Sequence, residues 1–184
     1  MSEILQPAVG SLLGAALMAR ARRSEDARRR RRAAADHVYR SLLVLKGLML
    51  RKDIGKDLEV WVEAVRSSYD ALDEHEYTLP HQWRHLKRSM RYAIGEATCL
   101  GLIDLSTVEP SEAVAFNGTW LEFGGDYLEY VTRSVGRWRE LYSERKANSA
   151  EIMDFDAWLA RTGRYILGAG VWPEPDGRRR PHRV

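Results

Sequence analysis

The sequence predicts an all-α protein: an antiparallel bundle of about four helices, preceded by an apolar N-terminal helix that can run on into the first bundle helix as one rod. Three observations carry that prediction. Apolar residues recur at spacings of three and four along successive stretches, which is the period of a helix face. No stretch sustains the alternation that a strand requires. Glycine, proline and polar clusters separate the stretches at short intervals, which favours antiparallel neighbours.

The first stretch is apolar and then abruptly basic. Residues 4–19 carry Ile4, Leu5, Val9, Leu12, Leu13 and Leu17 with no charged side chain, and residues 20–32 hold eight arginines against Glu25 and Asp26. Three readings compete for it. A cleaved secretion signal needs positive charge ahead of the apolar run, where the only charged side chain is Glu3. A membrane span is the second reading. Sixteen helical residues reach about 24 Å against a hydrocarbon core of about 30 Å, and snorkelling by Arg20 and Arg22 recovers part of the deficit. The arginines would then hold the C-terminal side in the cytoplasm. The third reading is a helix lying on a membrane surface or packed in the bundle. Gly10 and Gly14 fit the small-residue spacing that lets two helices approach closely, so a homodimer through this helix is one further expectation.

Beyond it, Ala35, Val38, Leu42, Leu45 and Met49 form a core stripe. Leu43, Val44 and Leu48 make that stretch apolar nearly all round, which predicts a central helix. A turn at 52–56 contains Gly55. Leu58, Trp61, Val62, Val65, Tyr69 and Leu72 mark the second bundle helix. Thr78-Leu79-Pro80 signals the start of the third, with Trp83, Leu86, Met90, Ala93, Ala97 and Leu100, closed by Gly101. Glu109-Pro110-Ser111 opens a fourth, with Phe116, Trp120, Phe123, Tyr127, Val131, Val135, Trp138 and Leu141. Gly124 and Gly125 inside it predict a kink or break. Asn148-Ser149 is the expected cap of a fifth, with Ile152, Phe155, Leu159, Thr162 and Ile166, stopped by Gly168 and Gly170. The expected organisation is an apolar anchor at 1–22, a basic juxtamembrane helix at 23–34, the bundle at 35–170 and a disordered basic tail at 171–184.

Charge is unevenly shared. Of a net +3, residues 20–32 contribute +6 and the tail arginines Arg178, Arg179, Arg180 and Arg183 contribute +4, which leaves the remainder at −7. An acidic body argues against a basic domain surface wrapped on nucleic acid. The single cysteine, Cys99, cannot form an internal disulfide and lies in an apolar stretch, as a small buried hydrophobe would.

No catalytic motif emerges. Phosphate loop, dinucleotide fingerprint and nucleophile elbow are all missing from the sequence. His81 and His85 stand four apart, on one face of an α-helix, with His75 nearby. Gln82 follows His81, so the zincin pattern is not met, and histidines at a surface helix end account for the pair. Asp70, Asp73, Glu74 and Glu76 read as a solvated acidic turn. Asn117-Gly118-Thr119 fits a glycosylation sequon, which has no use in a cytoplasmic body.

The layout resembles a group of small bacterial proteins of uncharacterised role. The resemblance rests on Pro7-Ala8-Val9-Gly10, the Leu/Gly/Ala run and the arginine run that follows. It implies an N-terminal anchor and a cytoplasmic helical domain, and no site residues. The resulting expectation is a non-enzymatic, membrane-anchored scaffold, partner-binding module or effector, with no metal and no cofactor. Anionic lipids would contact Arg20, Arg22, Arg23, Arg28, Arg29, Arg30, Arg31 and Arg32. The alternative is a soluble nucleic-acid-associated protein, cytoplasmic throughout, that uses Arg28, Arg29, Arg30, Arg31 and Arg32 with the tail arginines.

Overall fold

The computed structural model describes residues 5–50, 58–98 and 117–164, with side chains from residue 17 onward. Among these the chain is helical, with no strand: α1 (Leu5–Met49), α2 (Leu58–Glu74), a 3-10 turn (His81–His85), α3 (Leu86–Ala97), α4 (Gly118–Glu140), α5 (Glu144–Asn148) and α6 (Phe155–Thr162). The all-α expectation holds. Gly55, Cys99, Leu100, the Glu109-Pro110-Ser111 opening, Phe116, Ile166 and the expected tail lie outside the described residues.

Packing follows the predicted stripes. Ala35, Val38, Leu42, Leu45 and Met49 of α1 are all buried, as are Trp61, Val62, Val65, Tyr69 and Leu72 of α2. Trp83, Leu86, Met90, Ala93 and Ala97 join the same core, with Tyr127, Val131, Val135 and Trp138 of α4. Helix α4 is the hub, packed on both α1 and α3, while α2 packs on α1. Along the α1–α4 seam Asp36 meets Arg139, Tyr39 meets Gly136, Lys46 meets Glu129, and Met49 meets Gly124. Numbers rise along one helix as they fall along the other.

Four local expectations are corrected. The α1 stretch is not enclosed on all sides: Leu43 and Val44 are exposed while Leu48 is buried, because α2 and α4 cover only part of its circumference. Helix α4 runs through Gly124 and Gly125 without a break. A Cβ at Gly124 would lie 2.9 Å from the Ala93 carbonyl oxygen and from Met49 Cε, so this glycine lets α4 approach α3 closely. Packing at that seam outweighs the helix propensity forgone. Asn148-Ser149 ends α5 rather than capping α6; the cap is Asp154, whose side chain accepts from Ala157 N at 2.7 Å. Finally, Pro80 leads into a 3-10 turn, and α3 begins only at Leu86.

The segment between α4 and α6 is pinned by ring donors. Trp83 and Trp138 lie 5.1 Å apart, and their indole N–H groups donate to the carbonyls of Ala150 and Ala147 at 2.9 and 3.1 Å. Tyr127 donates to the Met153 carbonyl, and Met153 N donates to the Tyr130 hydroxyl, each at 2.9 Å. Burial pushes the Tyr127 phenol far above its ordinary range, so it stays a donor. Arg164 closes the far end, bound to Asp126 at 2.6 Å and lying over the rings of Trp158 and Phe123. Packing thus accounts for Trp83, Trp138, Tyr127, Trp158 and Phe123.

No helix among the described residues is long and apolar enough to cross a membrane, so the expected span finds no support. The reason is visible in the chain: arginine enters at residue 20, before the apolar run reaches the length of a hydrocarbon core.

Candidate functional site

The arginine collar divides by face. On a helix that turns 100° per residue, the stripe that packs Ala34, Ala35, Val38 and Leu42 continues N-terminally through Arg31, Arg28, Ala27 and Ser24. These four are buried or half-buried, and the other collar arginines are not. Arg31 is buried, and its guanidinium donates to the Leu141 carbonyl just past the end of α4. That carbonyl lies just beyond the C-terminal, negative end of the α4 dipole, which suits a cation. Burial and the neighbouring Arg28 lower the Arg31 pKa from its ordinary value, while Glu144 opposes them. Arg28 lies one turn earlier, 5.1 Å from the centre of the Tyr142 ring. Both arginines belong to the packing of the body.

The remaining six, Arg20, Arg22, Arg23, Arg29, Arg30 and Arg32, are exposed. Arg22 and Arg29, like Arg23 and Arg30, are seven residues apart and align in two rows turned away from the packed stripe. Leu17 and Met18, immediately before them, are 67% and 62% exposed. The arrangement is a basic helical surface abutting apolar side chains. Gly10 and Gly14 fall within α1, but their surroundings lie outside the described side chains.

The other sequence candidates fare differently. His81 and His85 do not share a face, because a 3-10 turn advances about 120° per residue and four residues bring about 120° of net rotation. Asp73 of the acidic turn faces the basic start of α3, with Lys87 Nζ 2.5 Å from its carboxylate. That pair sits in a cleft of about 190 Å3 lined also by Leu72, Glu76 and Trp83, smaller than the usual small-molecule site. Asn117 of the sequon caps α4, accepting from Trp120 N at 3.2 Å. His75 does acquire partners, namely His37 from α1 and Glu74 at the end of α2, the one metal-competent group among the described residues. Nothing in the sequence pointed to His37, which is 38 residues from His75 and matches no ligand spacing.

Neither a family model, a curated protein nor a solved structure matches this chain.

Proposed function

We propose that this protein is a non-enzymatic scaffold whose α1 arm holds an acidic helical body at an anionic lipid surface on the cytoplasmic side. The reading takes the body as an antiparallel four-helix bundle of α1 to α4, supported by the opposed numbering along the α1–α4 seam. It takes α1 as one rod joining arm to body. The 26 residues from Leu5 to Arg30 would reach about 39 Å.

The observation that carries the reading is the division of the collar. Six arginines stay exposed beside Leu17 and Met18, while only Arg28 and Arg31 are used by the body. Each cation near an anionic leaflet contributes about 1 kcal/mol, so six suffice for peripheral attachment without a span. The apolar run adds shallow insertion in the interface plane. The bundle residues 35–170 carry 17 basic against 21 acidic side chains, a net −4, and repulsion between them and the same surface would keep the body at a distance from it.

Co-sedimentation of the full chain with lipid vesicles tests this. Capture by phosphatidylserine-containing vesicles, absent with phosphatidylcholine alone and falling as salt rises, is the expected result. No capture, or equal capture by both lipids, would overturn it. Salt-dependent retention of duplex DNA without vesicle capture would put the nucleic-acid reading in its place.

A further inference from the structure

We propose that His37, His75 and Glu74 form a binding site for a borderline divalent transition-metal ion, with Zn2+ the best match. The site is independent of the lipid reading. His37 Nδ1 lies 3.1 Å from His75 Nε2 and 3.4 Å from Glu74 Oε2, and His75 Nε2 lies 4.0 Å from Glu74 Oε1. Ligands at zinc-bond distances on a tetrahedron are separated by about 3.3 Å; one ligand atom from each of the three residues lies within 4.8 Å of the others, so small side-chain rotations bring them to the corners an ion requires. The imidazole rings meet edge to face, at 82° with centroids 5.2 Å apart.

The backbone beneath these ligands is fixed by packing. His37 precedes Val38, which is fully buried, and follows Asp36, which is paired with Arg139 on α4. His75 directly follows α2, in a turn closed by Thr78 N and Leu79 N, both donating to its carbonyl at 2.8 and 2.9 Å. The ligands thus come from two elements already joined by the core, which lowers the ordering cost of binding.

A single N–H on His37 Nδ1 can satisfy either His75 Nε2 or the carboxylate, whereas one cation satisfies all three donor atoms. Two imidazoles and one carboxylate select zinc-like ions over Mg2+ and Ca2+, which prefer oxygen. The His37 and Glu74 side chains are 47% and 64% exposed, so an ion can enter from solvent and keep a fourth position for water or a partner's side chain. Bound there, it would tie α1 to the end of α2.

Calorimetric titration of the untagged, chelator-treated full chain with ZnCl2 tests the site. The expected result is one Zn2+ per chain, no heat with MgCl2, and a raised melting temperature. His37→Gln and His75→Gln should each weaken binding by more than about tenfold, while the His81→Gln/His85→Gln double variant binds as the parent does. Co2+ added to the parent protein should give the intense visible absorption of tetrahedral coordination, a readout that needs no variant. The proposal is overturned by absent stoichiometric Zn2+ binding, by a weak octahedral Co2+ spectrum, or by loss of binding only when His81 and His85 are replaced.

Discussion

The two parts of α1 share one backbone geometry and meet opposite surroundings. From Arg31 to Met49 one face of the helix is sunk in the body, and Ala35, Val38, Leu42 and Leu45 have no accessible surface. From Leu17 to Arg30 no residue is fully buried: Ser24, Ala27 and Arg28 are half-buried, and the leucine, the methionine and the other arginines face solvent. Helix formation therefore does not distinguish them. The difference is what the stripe carries: alanine, valine and leucine at the body, serine, alanine and arginine in the arm. A long helix can thus serve as core at one end and as a charged surface at the other.

That contrast can be broken most sharply with leucine. Leu42→Ala should cost about 3 kcal/mol in chemical denaturation, from lost burial plus a residual cavity. Leu17→Ala, in the exposed arm, should change stability by less than about 0.5 kcal/mol. Equal losses would mean that the arm is packed.

Arginine gives the next largest separation. Removing Arg31 leaves the Leu141 carbonyl without its charged donor, so Arg31→Ala should destabilise by about 1–2 kcal/mol. Arg30→Ala, one residue earlier on an exposed face, should be neutral in the same melts.

Glycines sharpen the body's side of the comparison. Gly124→Ala must displace the Ala93 carbonyl, a backbone group that cannot swing away, and should cost about 1 kcal/mol net of its propensity gain. Gly47, on the solvent side of α1, has nothing among the described residues near a new Cβ. Gly47→Ala should therefore stabilise by about 0.5–1 kcal/mol.

The smallest expected effect is a pH dependence confined to the body. Burial, and then the neighbouring Asp156 carboxylate, raise the Glu96 pKa above its ordinary value. The folded chain then holds this proton more tightly than the unfolded one. Stability from Glu96 is full below the ordinary carboxyl range and is lost as pH rises through the folded-state value. Glu96→Gln should therefore melt slightly higher than the parent at neutral pH, and the gap should close in acid. A gap that widened in acid would reverse the sign.

Most of the core was legible because helical periodicity reports burial directly. Each α1 stripe residue from Ala35 to Met49 and the Trp61-to-Leu72 series are inside. Periodicity was silent wherever the decision lay between elements. Leu43 and Val44 are apolar yet exposed, since how much of a helix is covered depends on its neighbours. The expected break at Gly124 and Gly125 followed from propensity, whereas the close approach to Ala93 comes from α3. His81 and His85 suggested a shared face only under α-helical geometry, and Pro80 instead starts a tighter turn. His37 carried no local signal, because its partners come from another helix. The collar was legible as charge, but the departure of Arg28 and Arg31 from it depends on where α4 ends.

The division of the collar is tested most directly by vesicle co-sedimentation of two variants beside the parent chain. One replaces the six exposed arginines, Arg20, Arg22, Arg23, Arg29, Arg30 and Arg32, by glutamine; the other replaces Arg28 and Arg31. The first should lose capture by anionic vesicles while melting as the parent does, and the second should keep capture while melting lower. Retained capture in the six-arginine variant, or its loss in the Arg28/Arg31 variant alone, would contradict the account.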